Sequence, residues 1–156
     1  MIITRPETLA DPDDPTSPTV RLIADASDTE GTASIENVRL VDGADGAVPH
    51  YHRLSHEVFH VLDGTFEVWE DGTIHRLERG DTAIIAPGTP HAFGAAAGCD
   101  ADVLITITPG VERFEYFRQL ARIVRGIAQP DSLTSRQEEF DTYFVDAPDW
   151  AAHRRR

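Results

Sequence analysis

The sequence predicts an all-β fold, a sandwich or barrel of short antiparallel strands with α-helices packed outside at its C-terminal end. Three observations lead there. Residues 19 to 108 break into strand-length runs rich in β-branched residues, with alternating polarity: TVRLIAD, SIENVRLV, EVFHVL, TFEVWE, TIHRL, TAIIA and DVLITIT. Between them stand turn pairs, Asp42-Gly43, Asp63-Gly64, Asp71-Gly72, Arg79-Gly80 and Pro87-Gly88, and tight hairpins use glycine because it accepts positive φ. Beyond residue 108 the period changes from two to that of a helix.

Taken in order, residues 10 to 18 (ADPDDPTSP) carry three prolines and three aspartates, a composition that cannot pack a core and reads as a surface loop. The strand runs follow at nearly regular spacing, as in a sandwich or barrel. In VERFEYFRQLARIVRGI, Phe114, Phe117, Leu120, Ala121, Val124 and Ile127 fall at three- and four-residue steps. That is an amphipathic helix stopped near Gly126, its apolar face turned to the β domain or a partner subunit. Ser135 to Glu138 reads as a capping box that opens a second, shorter helix. No internal repeat is visible, so residues 1 to 156 are expected to form a single domain. Its barrel core spans about 19–108, and its helical extension about 109–156.

Composition limits the partners. The 156 residues suffice for a real core, and 40% apolar with 26% charged residues is ordinary for a soluble globular chain. The net charge of −13 repels phosphate backbones, which argues against nucleic acid and anionic membrane as partners. The only basic run, Arg154 to Arg156, reads as a solvated terminus. Cys99 is the single cysteine, so no intrachain disulfide forms and a reducing cytoplasm fits. No apolar run approaches the roughly 18 residues of a membrane span, and the N-terminus lacks the basic-then-apolar pattern of a signal peptide.

Four of the seven histidines lie in HYHRLSHEVFH, residues 50 to 60, with Glu57 among them. On a strand, residues 50 and 52 project from one face, so two imidazoles converge. Residues 53 to 56 then read as a short connection, and Glu57 opens the next strand, EVFHVL. If that strand pairs antiparallel with the first, Glu57 lands beside the two histidines and adds the hard, charged oxygen that a divalent cation favours. In GDTAIIAPGTPH, residues 80 to 91, a strand ends in a rigid Pro-Gly turn and His91 begins another strand, in place to complete the set.

A lone H-x-H is weak, because about 0.3 such pairs are expected by chance in a chain of this composition. Requiring Glu57 five residues on and Gly64 seven after that lowers the expectation to roughly 0.002. HYHRLSHEVFHVLDG then resembles the first motif of the cupins, and GDTAIIAPGTPHAF resembles the second, the likeness covering about residues 34 to 108. The chain departs from the motifs at Ala44, Ala86 and Ala95, where the family usually has Gly, Pro and Asn, and none of these is a ligand position.

The resemblance implies a small antiparallel jelly-roll barrel with one divalent transition metal per chain inside it, held by His50, His52, Glu57 and His91. The ion would be Fe, Mn, Ni, Cu or Zn. A homodimer is expected, because one small barrel and its helix leave apolar faces to cover. His60 lies three residues past Glu57 and faces away by period two; His56 reads as a solvent-facing loop residue, and His75 and His153 as structural or free. Phe66 and Phe93 are candidates for a pocket wall, and FEVW and HAF for a partly aromatic interior.

Three imidazoles and one carboxylate leave coordination positions open, as a catalytic site requires. The expected function is a metal-dependent oxygenase of the quercetinase kind, a dioxygenase acting on a small aromatic or enolic compound, with Glu57 as the catalytic base. Two alternatives stand beside it. One is a cyclase or isomerase using the metal as a Lewis acid, and the other is a non-enzymatic small-molecule binder.

Overall fold

The structure, a computed structural model, describes residues 1–155; Arg156 lies outside the described residues. Ten strands run in chain order: β1 (Glu7–Leu9), β2 (Thr19–Ala24), β3 (Ser34–Leu40), β4 (His50–Tyr51), β5 (His56–Glu70), β6 (Thr73–Glu78), β7 (Thr82–Ile85), β8 (His91–Ala95), β9 (Ala101–Thr108) and β10 (Tyr143–Phe144). Helices α1 (Phe114–Val124), α2 (Asp131–Thr134) and α3 (Pro148–Arg154) occupy the C-terminal part. The strands pair antiparallel in the order β1-β2-β3-β9-β5-β8-β4-β10, and β6 and β7 also pair with β5. This is the all-β fold that the strand pattern predicts and the jelly roll that the resemblance implies.

Alternation of burial defines the inner wall. On β9, Ala101, Val103, Ile105 and Ile107 are buried and the residues between them are not. Ala101, Val103 and Ile105 join Val38, Leu40, Phe59, Val61, Phe66, Val68 and Ile85 in one apolar cluster. Full burial of such side chains contributes roughly 1.5–3 kcal/mol each. Phe59, Phe66 and Phe93 meet at ring centroids 5.2–5.5 Å apart.

Four expectations are corrected. Asp63-Gly64 is no hairpin turn: β5 continues through it for 15 residues, both residues pair with β9, and the register shifts just before them, between Val61 and Asp63. Gly64 takes φ +78°, and a side chain there would strike the backbone of Asp100. Second, Ser135 ends a helix: it is the C-cap of α2, and its hydroxyl donates to the Asp131 carbonyl at 2.7 Å.

Third, Arg154 belongs to α3. Its guanidinium donates to Asp45 (2.6 Å), the Ala95 carbonyl (2.8 Å) and the Gly43 carbonyl (2.7 Å), and lies 3.4 Å from Glu67. Gly94 makes room for it, since a Cβ there would sit 2.8 Å from the guanidinium carbon. Fourth, Trp69 turns away from the barrel interior. It packs against Trp150 and Ala147, and its indole donates to Asp149 at 2.7 Å.

Candidate metal centre

His50 and His91 sit directly opposite each other on β4 and β8. His52 lies just past β4, in the connection of residues 52–55; His56, exposed, already opens β5. Glu57 arrives by a different route from the one expected. Strand β4 pairs with β8 and β10 and not with β5, and the part of β5 that carries Glu57 pairs with β7 and β9. The carboxylate and the histidines therefore come from different parts of the sheet and meet in the barrel interior.

Their geometry is that of a ligand set. Glu57 Oε2 lies 2.5 Å from His91 Nε2, 3.3 Å from His52 Nε2 and 3.9 Å from His50 Nε2. The four ligand atoms all fall within 4.8 Å of one another, and all four side chains are buried. Each imidazole is oriented from behind by a backbone carbonyl. Nδ1–H of His50 donates to Val48 (2.8 Å), that of His52 to Asp141 (2.5 Å) and that of His91 to Thr89 (2.8 Å). A proton fixed on Nδ1 turns Nε2 to the interior, where a metal would take its lone pair; with a second proton there instead, His52 and His91 donate to Glu57.

The electrostatics agree. Burial, then the neighbouring His91, hold His50 well below its ordinary value, so it is neutral. Burial alone pushes Glu57 up, but hydrogen bonds from His52 and His91 outweigh it and hold the carboxyl well below the usual range. For His91, burial lowers the pKa while the bond to Glu57 raises it further, and the net direction is up. Three nitrogens aimed at one carboxylate need a positive charge between them, so this buried His3Glu set fits a single metal ion.

The centre opens on a cavity of about 830 Å³. Val38, Phe93 and Ile105 line it from the barrel, and Tyr116, Phe117 and Leu120 from α1. Phe93 is thus a wall residue as expected, whereas Phe66 stays in the core. The polar lining includes His50, Glu57, Glu36 and Arg113.

Outside the quartet, His60 bonds Thr82 (2.8 Å) and His75 pairs with Glu70 (3.2 Å). His153 lies 2.8 Å from Glu67.

Sequence reasoning missed Asp141, which is buried and takes φ +46°. Its carbonyl holds His52, and its carboxylate accepts from the backbone N–H groups of Arg53 (2.8 Å) and Leu54 (3.0 Å). Nearby, β10 pairs with β4, and Tyr143 stacks on Tyr51 at 5.3 Å. The C-terminal extension is therefore part of the wall behind the site.

A jelly roll with a buried His3Glu cluster is the architecture of the cupins, and residues 37–107 match the family described as Cupin domain. Among curated proteins the chain is similar to quercetin 2,3-dioxygenase of Bacillus subtilis (strain 168), 41% identical over 64 residues. That match takes in 40% of this chain but only 19% of the dioxygenase. Among solved structures it resembles KdgF from Halomonas sp., with a TM-score of 0.54 and 24% identity over 66% of this chain and 86% of that one. It also resembles a cupin-like protein from Thermotoga maritima, with a TM-score of 0.55 and 22% identity over 59% and 68% of the two chains. At these identities the likenesses show the fold.

Proposed function

We propose that this protein is a metal-dependent oxygenase for a small aromatic or enolic compound, with one divalent transition metal held by His50, His52, Glu57 and His91. The observation that carries the reading is the buried quartet at the wall of a largely apolar 830 Å³ cavity, a setting for a flat substrate. The partial match to quercetin 2,3-dioxygenase supports it. Fe, Mn, Ni or Cu at the centre would supply valence changes for reaction with O2, whereas Zn would supply Lewis acidity alone.

The chain's own residues have three tasks. Phe93, Tyr116 and Phe117 hold an aromatic ring and keep water out. The carbonyls of Val48, Asp141 and Thr89 fix the imidazoles. Glu57, ionised at neutral pH, takes the proton of a substrate hydroxyl. The net charge of −13 and the single Cys99 support a cytoplasmic protein with a small-molecule substrate and no nucleic-acid or membrane partner. Among the described residues no helix is long and apolar enough to cross a membrane.

The test is to load the protein separately with Fe(II), Mn(II), Ni(II) and Cu(II), add flavonols, catechols and β-diketones, and follow dissolved O2. Uptake that requires both the metal and Glu57 is expected. Conversion at an equal rate without oxygen would replace this reading with Lewis-acid catalysis, and tight binding without turnover would replace it with a storage or carrier role.

A further inference from the structure

Arg113 is an unusual tenant of this cavity. It is 4% exposed and lines the cavity together with His50 and Glu57. Its position is fixed at both ends. The backbone N–H groups of Arg113 and Phe114 donate to Asp25 at 2.6 and 3.0 Å, and its Nη1 donates to the Phe140 carbonyl (3.1 Å) and Thr142 Oγ1 (2.6 Å). The guanidinium carbon lies 4.3 Å from the centre of the Tyr116 ring and 5.3 Å from that of Phe117. None of these contacts is a carboxylate on the guanidinium, and Nε has no hydrogen-bond partner among the described residues.

Glu36, on the neighbouring barrel wall, is 1% exposed, and its Oε1 likewise has no partner. Burial pushes its carboxyl up to about 8, with Arg113 as the strongest opposing influence. At neutral pH the carboxyl therefore keeps its proton and sets no carboxylate against the Arg113 guanidinium. A buried guanidinium with no carboxylate against it is expensive, and a buried donor without an acceptor adds to that cost. Both costs fall on groups that face one cavity in a chain whose net charge is −13.

We propose that Arg113, with Glu36 on the adjoining wall, forms an anion subsite, and that the ligand is an apolar ring compound bearing a carboxylate or comparable anionic oxygen. The placement of a second, reacting oxygen at the quartet rests on the oxygenase reading above; the anion subsite itself does not. One ligand oxygen would accept from Arg113 Nε–H and from the Glu36 hydroxyl, while the ring lies against Tyr116, Phe117 and Phe93.

The test is calorimetric binding of 2-naphthoate and 2-naphthamide at pH 7, probes with the same ring that differ in charge. It is run on the full chain, zinc-loaded and again after chelation, because the metal alone can bind a carboxylate. Naphthoate is expected to bind at least ten-fold tighter than naphthamide in both states. R113M should abolish the preference. R113K, which keeps the charge but lacks Nε, should reduce it and serves if R113M fails to fold. Equal affinities in the unaltered chain, no naphthoate binding at millimolar concentration, a preference that vanishes on chelation, or one that survives in folded R113M or stays undiminished in R113K would each overturn the proposal. Oxygen uptake is measured separately, so failure of the oxygenase reading leaves a different signature from failure of the subsite.

Discussion

The backbone carbonyl of Asp141 lies 2.5 Å from Nδ1 of His52, a residue 89 positions earlier in the chain. The residues on either side, Phe140 and Thr142, hold the Arg113 guanidinium. Three consecutive residues of the C-terminal extension thus brace both a quartet histidine and the buried cation of the cavity. The extension is part of the centre's support, and its loss is expected to be felt at the centre.

Asp141→Ala removes two hydrogen bonds to a carboxylate, each worth about 1.5–3 kcal/mol, and leaves a non-glycine residue at φ +46°. Stability should fall by about 3 kcal/mol. Zinc affinity should fall roughly ten- to hundred-fold, as for other supports behind metal ligands. Denaturant melts and competitive chelator titrations read the two effects. Unchanged zinc affinity would mean that the backbone carbonyl of residue 141 holds His52 without the carboxylate's grip on Arg53 and Leu54.

Glu36 gives the protein a pH signature. Its carboxyl is raised from 4.5 to about 8 by burial, so the folded chain holds a proton that the unfolded chain releases. Its contribution to stability is fully present below pH 4.5, declines as pH rises towards 8 and is constant above that. At 1.36 kcal/mol per pH unit, the span is worth about 5 kcal/mol. E36Q cannot titrate there, so its stability relative to the parent should climb between pH 5 and pH 8 and then level off. A difference independent of pH would show that Glu36 is not proton-bound in the fold.

Arg154 and Glu67 are both largely buried, at 11% and 7% side-chain exposure. R154M leaves Glu67 with less charge compensation and frees the carbonyls of Gly43 and Ala95. A loss of about 3 kcal/mol is expected, which in a chain of this size lowers the melting temperature by about 6–12 °C. An unchanged melting temperature would assign α3 to the surface, as a solvated tail.

We also propose a homodimer. Helix α1 turns Phe117, Leu120 and Ile123 inward onto Tyr116, Leu133 and Phe140. Val124, Ile127 and, on β7, Ile84 remain exposed at 59–65%. Closed two-fold symmetry is the default way to cover such a surface. Light scattering at tens of micromolar should give twice the chain mass, and a monomeric mass would remove the idea.

The quartet was legible in the sequence because a metal site on strands has a local signature: the period of two sets His50 beside His52, and the turn before His91 is marked by Pro87 and Pro90. How Glu57 reaches them was not legible, since β5 looks like two strands wherever Asp63-Gly64 is taken for a hairpin. Glycine at positive φ serves a close backbone approach within a strand as well as a turn.

Asp141 and Arg113 were invisible for a deeper reason. Their roles depend on contacts across 88 or 89 residues, with no period or motif around them. For α2 and α3 a signal did exist. Pro130-Asp131 and Pro148-Asp149 mark helix starts, but elements of four and seven residues are too short to show a helical period.

The central claim is that His50, His52, Glu57 and His91 hold one divalent ion. Its most direct measurement is elemental analysis of protein expressed in metal-balanced medium, alongside H50A, H52A and H91A. The account predicts close to one first-row transition ion per chain in the parent. It predicts strongly reduced metal in each variant with the circular-dichroism spectrum of the β fold preserved, because the apolar core and not the ion holds the barrel together. Full stoichiometric metal in all three variants would contradict it.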